Sequence, residues 1–162
     1  MHRSRDRREA RSRRQVLARL YPRHTVLGNL SASVKIASTA DSFAELGKDM
    51  SASGTYNILD GSIDRMGLLE GLRKVSPGPA GGGLTRFVRL DGSFSSVAGH
   101  PASVSMQHMD AGAMQGSGSF ALTPEGGLKG NVAASMRLPS GETTSRSLGL
   151  TGTVQAPTLM VR

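Results

Sequence analysis

Apolar and polar residues alternate with period two along most of this chain. Leu30, Ala32, Val34 and Ile36 alternate with Ser31, Ser33 and Lys35, the pattern of a half-buried strand. Gly54, Tyr56 and Ile58 alternate next, and Asp60-Gly61 then predicts a turn. Phe87 to Leu90 and Gly92-Ser93-Phe94 predict a strand pair around a turn at Asp91-Gly92. Ala102, Val104 and Met106 alternate, as do Met114, Gly116, Gly118, Phe120 and Leu122. The longest alternation runs from Leu128 through Val132, Ala134 and Met136 to Leu138. Leu148, Leu150, Gly152 and Val154 make a last clear strand, and Leu159-Met160-Val161 adds a stub. Pro124 to Gly127 and Pro139 to Glu142 supply the turns between these strands.

Helical spacing occurs twice. Asp41-Ser42 offers an N-cap with Glu45 in capping-box position, and Phe43, Leu46 and Met50 share a face, which predicts a short amphipathic helix at 41–50. Met66, Leu69, Leu72 and Val75 predict a second at 64–75, followed by a flexible loop from Ser76 to Gly83. The expected fold is therefore mainly β: an antiparallel meander or curved sheet of hairpins, with two short amphipathic helices and a basic N-terminal arm. A recurring Gly-Ser/Thr-apolar triplet starts at Gly54, Gly92, Gly118 and Gly152, at spacings too uneven for a solenoid.

Charge divides the chain. The total is +8, but residues 1–24 hold nine Arg and two acids, a balance of +7. That leaves the other 138 residues at +1. We therefore expect two regions: a basic arm at 1–24, helical or disordered, and a β-rich domain at 25–162. The near-neutral body argues against nucleic acid as the partner of the domain. The arm, through Arg3, Arg5, Arg7, Arg8, Arg11, Arg13 and Arg14, is the one segment suited to phosphates or anionic headgroups.

Candidate chemistry is sparse. Zero Cys excludes a disulfide scaffold, a thiol nucleophile and a thiolate metal site. No Gly-x-Ser-x-Gly elbow occurs, and the Gly-rich stretch after Gly78 lacks a phosphate-loop Lys. His100, His108 and Asp110 are the only grouping that resembles metal ligands, and they read as surface or turn residues. Asp60, Asp91 and Asp110 read as turn residues. The expectation is a protein that is not an enzyme, with no metal and no cofactor.

The inward positions are small: Ala, Val, Leu, Met and Gly, with only 4% aromatics overall. Such a face either closes over a thin, Met- and Ala-rich core or stays partly open as an apolar groove. The groove reading places Val104, Met106, Val132, Ala134, Met136 and Leu150 on a lipid-facing side.

An ordered set of stretches carries a family resemblance. It runs through Leu27-Gly28-Asn29-Leu30-Ser31-Ala32-Ser33-Val34-Lys35-Ile36, Ser42-Phe43-Ala44-Glu45-Leu46, Ser53-Gly54-Thr55-Tyr56-Asn57-Ile58-Leu59-Asp60-Gly61-Ser62-Ile63, the apolar helix Met66 to Leu72, and Thr85-Arg86-Phe87-Val88-Arg89-Leu90-Asp91-Gly92-Ser93-Phe94. With Gly116 to Leu122 and the closing Leu148 to Pro157, this order resembles the C-terminal region of AsmA-like proteins (AsmA/TamB-type) of Gram-negative bacteria. The resemblance covers about residues 27–160. It implies a role in outer-membrane assembly or lipid homeostasis and transfer, through an apolar β-groove, on the periplasmic side of the inner membrane. Phospholipid or another envelope lipid, and outer-membrane assembly components, would be the partners. This chain shows no signal or anchor and resembles a fragment of such a protein. The alternative is a small binding protein whose Arg-rich arm contacts nucleic acid or anionic lipid headgroups.

Overall fold

The computed structural model describes residues 26–38 and 49–162. The basic arm and the helix expected at 41–50 fall outside the described residues, apart from Asp49 and Met50 at the end of that helix. The fold is mainly β. Nine antiparallel strands form one sheet: β1 (Val26–Ala37), β2 (Ser51–Ile63), β3 (Gly78–Pro79), β4 (Thr85–Val97), β5 (Ala102–Ala111), β6 (Met114–Leu122), β7 (Leu128–Arg137), β8 (Thr143–Gly152) and β9 (Pro157–Val161). Their spatial order is β1-β2-β4-β5-β6-β7-β8-β9-β3. The meander is thus interrupted once, after β2. There the chain crosses the sheet, forms α1 (Leu68–Arg73), adds β3 beyond β9 at the far edge, and returns to pair β4 with β2.

This crossover is what covers the apolar face. Helix α1 rests on β7, β8 and β9. Its Leu68 and Leu72 join Ile63, Phe87, Leu90, Met106, Met109, Met114, Val132, Ala134, Leu148, Leu150, Leu159 and Val161 in one core. Helix α1 is shorter than the sequence pattern predicts, because tertiary contacts set both its ends. The Thr85 hydroxyl accepts from the Leu68 amide and donates to the Met66 carbonyl, which anchors the entry. At the exit, the Arg146 guanidinium reaches up from β8 and donates to the carbonyls of Gly71 and Lys74. A cation there satisfies free carbonyls and complements the negative end of the helix.

Two expected turns are not turns. β2 runs through Asp60-Gly61, and β4 runs through Asp91-Gly92. At the first, Asp60 takes φ 50, and the inward positions jump by three from Ile58 to Gly61. The same three-residue step occurs at Phe87/Leu90 and Met106/Met109 on the neighbouring strands. The Asp-Gly conformational freedom is used in a bulge that bends the strand. At the second, Asp91 is bonded across the sheet. The remaining turns fall where the sequence places them, with Gly126 and Gly141 at positive φ.

Two of the Gly-Ser/Thr-apolar triplets, those at Gly54 and Gly92, acquire a reason. In neighbouring antiparallel strands, Gly54 lies opposite Phe94 and Tyr56 opposite Gly92. Phe120 lies likewise opposite Gly130. A glycine across from an aromatic ring leaves room for the ring to lie over the neighbouring backbone. Tyr56 shows the result: its hydroxyl crosses β4 above Gly92 and donates to the Ser105 carbonyl on β5, at 3.1 Å. Burial raises the Tyr56 pKa from its ordinary value.

Candidate functional site

Strand register gathers the apolar side chains into rows that cross the sheet. One row reads Val34, Gly54, Phe94, Val104, Phe120, Gly130, Leu150, Leu159, from β1 to β9. Its burial changes steadily along the way. Leu150 and Leu159 are buried, Phe94, Val104 and Phe120 are half-buried, and Val34 is 50% exposed. Leu30 and Ile36, on the same side of β1, are 61% and 68% exposed. Every residue of β1 is exposed. Among the described residues the cover is the crossover: α1 touches β7–β9, so it ends before the sheet does. Among those residues the apolar face is continuous, packed at one end and open at the other.

The six residues expected to line a groove all lie on this face. Met106, Val132, Ala134 and Leu150 are buried in the core, with Leu68 and Leu72 of the crossover in the same cluster. Val104 and Met136 are half-buried. The open stretch of the face lies toward β1 and shares only Val104 with those six; its residues are Leu30, Val34, Ile36, Phe94, Val104 and Phe120. Period-two patterning identified the face. It carried no signal of which part the crossover would cover.

The opposite face is a carpet of hydroxyls. Thr55, Ser93, Ser105, Ser119 and Asn131 form one row across it, and Ser53, Ser95, Ser103, Ala121 and Lys129 form the next. Two shallow depressions lie on it, of about 410 and 450 Å³. The first lies between those two rows, over the backbone of Phe94, Val104, Phe120 and Gly130. The second is flanked by Gln115, Ser135 and Ser145 on one side and by Ser117, Ala133 and Ser147 on the other.

One charged network stands on this polar side. Asp91 accepts from Arg89 Nε at 2.6 Å and from the Asn57 amide, and His108 lies opposite it on β5. The Arg89 bond foremost, then the Asn57 bond, holds the Asp91 carboxyl below its ordinary value of 3.8. The folded pKa is depressed, so this contribution is present above the unfolded value and is lost as pH falls through the folded one. Thermal melts above and below pH 3.8 should show an acid-side loss of stability that is smaller in Asp91→Asn. An identical acid limb in both proteins would contradict the network's role.

Asp110 does serve a turn, accepting from the Gly112 amide at 3.0 Å. Among the described residues, no three His, Cys, Asp or Glu side chains gather as a metal would require. Nor is any helix among them long and apolar enough to cross a membrane. The arm residues Arg3 to Arg14 lie outside the described residues. No protein-family model, curated protein or solved structure matches the chain.

Proposed function

We propose that this chain is a non-enzymatic β-sheet module that holds lipid acyl chains against the open part of its apolar face. Its work would be lipid handling in outer-membrane assembly, as the resemblance to the AsmA C-terminal region implies. One observation carries the reading: the row from Leu159 to Val34 stays apolar across eight strands while its cover, among the described residues, stops partway. Uncovered apolar surface is costly in water, and an acyl chain laid along the rows would remove it from solvent at about 25 cal/mol per Å². The polar face presents hydroxyls and no aromatic stacking platform, which disfavours nucleic acid there. The envelope location and the assembly partners rest on the same resemblance.

Native mass spectrometry of the purified full chain, with binding of a fluorescent phospholipid in solution, tests the proposal. We expect bound phospholipid, and at least a tenfold loss of binding in Val34→Asp/Ile36→Asp, whose positions are exposed and leave the core intact. A folded wild-type chain that binds no phospholipid would overturn the reading. So would a double variant that binds as well as wild type.

A further inference from the structure

The two edges of the sheet are built differently. At the far edge, β3 is two residues long and ends in Pro79, which has no N–H to donate. Lys74 Nζ bonds the Pro79 carbonyl at 2.6 Å, and the Ala80 amide bonds the Leu159 carbonyl, so that edge is short and its groups are engaged. The near edge is the opposite. β1 has 12 residues, one charge (Lys35), no proline, and no strand partner other than β2 among the described residues. Natural sheets guard such edges with charge, proline or short length, and β1 has only Lys35.

We infer that β1 is a pairing edge, and that its partner is β1 of a second copy, antiparallel about a two-fold axis at Ser33. The strand is self-complementary about that point. Pairing Ser33 with Ser33 sets Leu30 opposite Ile36 and Ala32 opposite Val34, apolar with apolar on one face. On the other face it sets Ser31 opposite Lys35, so the two lysines never meet. A shift of one residue would put apolar side chains against polar ones. Head-to-tail addition of β1 to the far edge of another copy is disfavoured by Pro79 and the shortness of β3, so association closes at two copies. The joined sheet has eighteen strands, twice the nine of one chain. It also brings the exposed Leu30, Val34 and Ile36 of both copies together at its centre.

Sedimentation velocity on the full chain, across a micromolar concentration range, tests this pairing. We expect a concentration-dependent species of about 34 kDa, twice 17.0 kDa. Ser33 is exposed on the polar side, so charge can be placed there without touching the apolar face. Ser33→Lys and Ser33→Glu should each weaken self-association about fivefold or more through like charges on the axis. Their equimolar mixture should recover it. Ser31→Lys, which faces Lys35 of the second copy, is the companion variant should either unfold. A wild-type chain that stays monomeric overturns the inference, as does assembly beyond two copies or a mixture that fails to recover. The polar-side variants leave lipid binding as it was, so failure of the pairing is distinguishable from failure of the lipid reading.

Discussion

Gly92→Val should lower the melting temperature by about 10 °C, corresponding to about 3 kcal/mol. The reason is the crowding above β4. A β-carbon on Gly92 would overlap the Ser105 carbonyl oxygen and the phenol end of Tyr56. The first is backbone and cannot swing away without breaking the β4–β5 pairing at Gly92–Met106. The second would be displaced from the Ser105 carbonyl, costing a hydrogen bond worth about 1 kcal/mol and leaving a half-buried phenol unpaired. Tyr56→Phe isolates that second part and should cost only about 1 kcal/mol. Differential scanning calorimetry on the three proteins checks the partition. A Gly92→Val variant as stable as wild type would mean the strands do not approach as closely as described.

Leu148→Ala should cost about 3 kcal/mol, because it opens a cavity beneath α1. Leu148 has no exposed surface and lies on β8, directly under the crossover. Gly71 of α1 sits on its methyls: a β-carbon there would fall 2.7 Å from Leu148 Cδ1. The close seat of the helix therefore needs glycine above and leucine below. Gly71→Ala alone should destabilise by overpacking. In Leu148→Ala/Gly71→Ala the added methyl enters the vacated space, so the double variant should be more stable than the sum of the singles predicts, by about 1 kcal/mol. Chemical denaturation of all four proteins gives the coupling. Strict additivity would mean that α1 does not dock on Leu148.

These contacts explain why parts of the fold were legible and others were not. Alternation from Met114 to Val154 marked β6 and β7 almost to the residue and the second half of β8, since one face of each strand is buried and the other is wet. Asp60-Gly61 and Asp91-Gly92 misled because Asp-Gly suits a tight turn and a bulge equally well. What separates the cases is the partner strand. Gly61 lies against the Phe87 ring, and Asp91 is tied to Asn57 and Arg89. β3 was invisible in a Pro- and Gly-rich loop, because two residues of pairing with Met160 and Val161 leave no periodicity to detect. The candidate face was legible as a face. Its open end was not, since exposure of Val34 and burial of Leu150 depend on where a crossover 21 residues long comes to rest.

Alternation along the chain is enough to specify a meander of strands with one apolar and one hydroxyl-rich face, because side-chain alternation is a local property of extended backbone. The sequence also locates the charge: seven of the eight net positive charges belong to residues 1–24, leaving a body close to neutral. That residues 64–84 leave the meander, cross its apolar face and cap the far edge follows from long-range packing alone. That step joins segments far apart in the chain, through Gly71 and Leu148, Arg146 and Lys74, and Pro79 and Met160. No short window of sequence contains both members of such pairs, and among the described residues they fix which end of the apolar face is packed and which stays open.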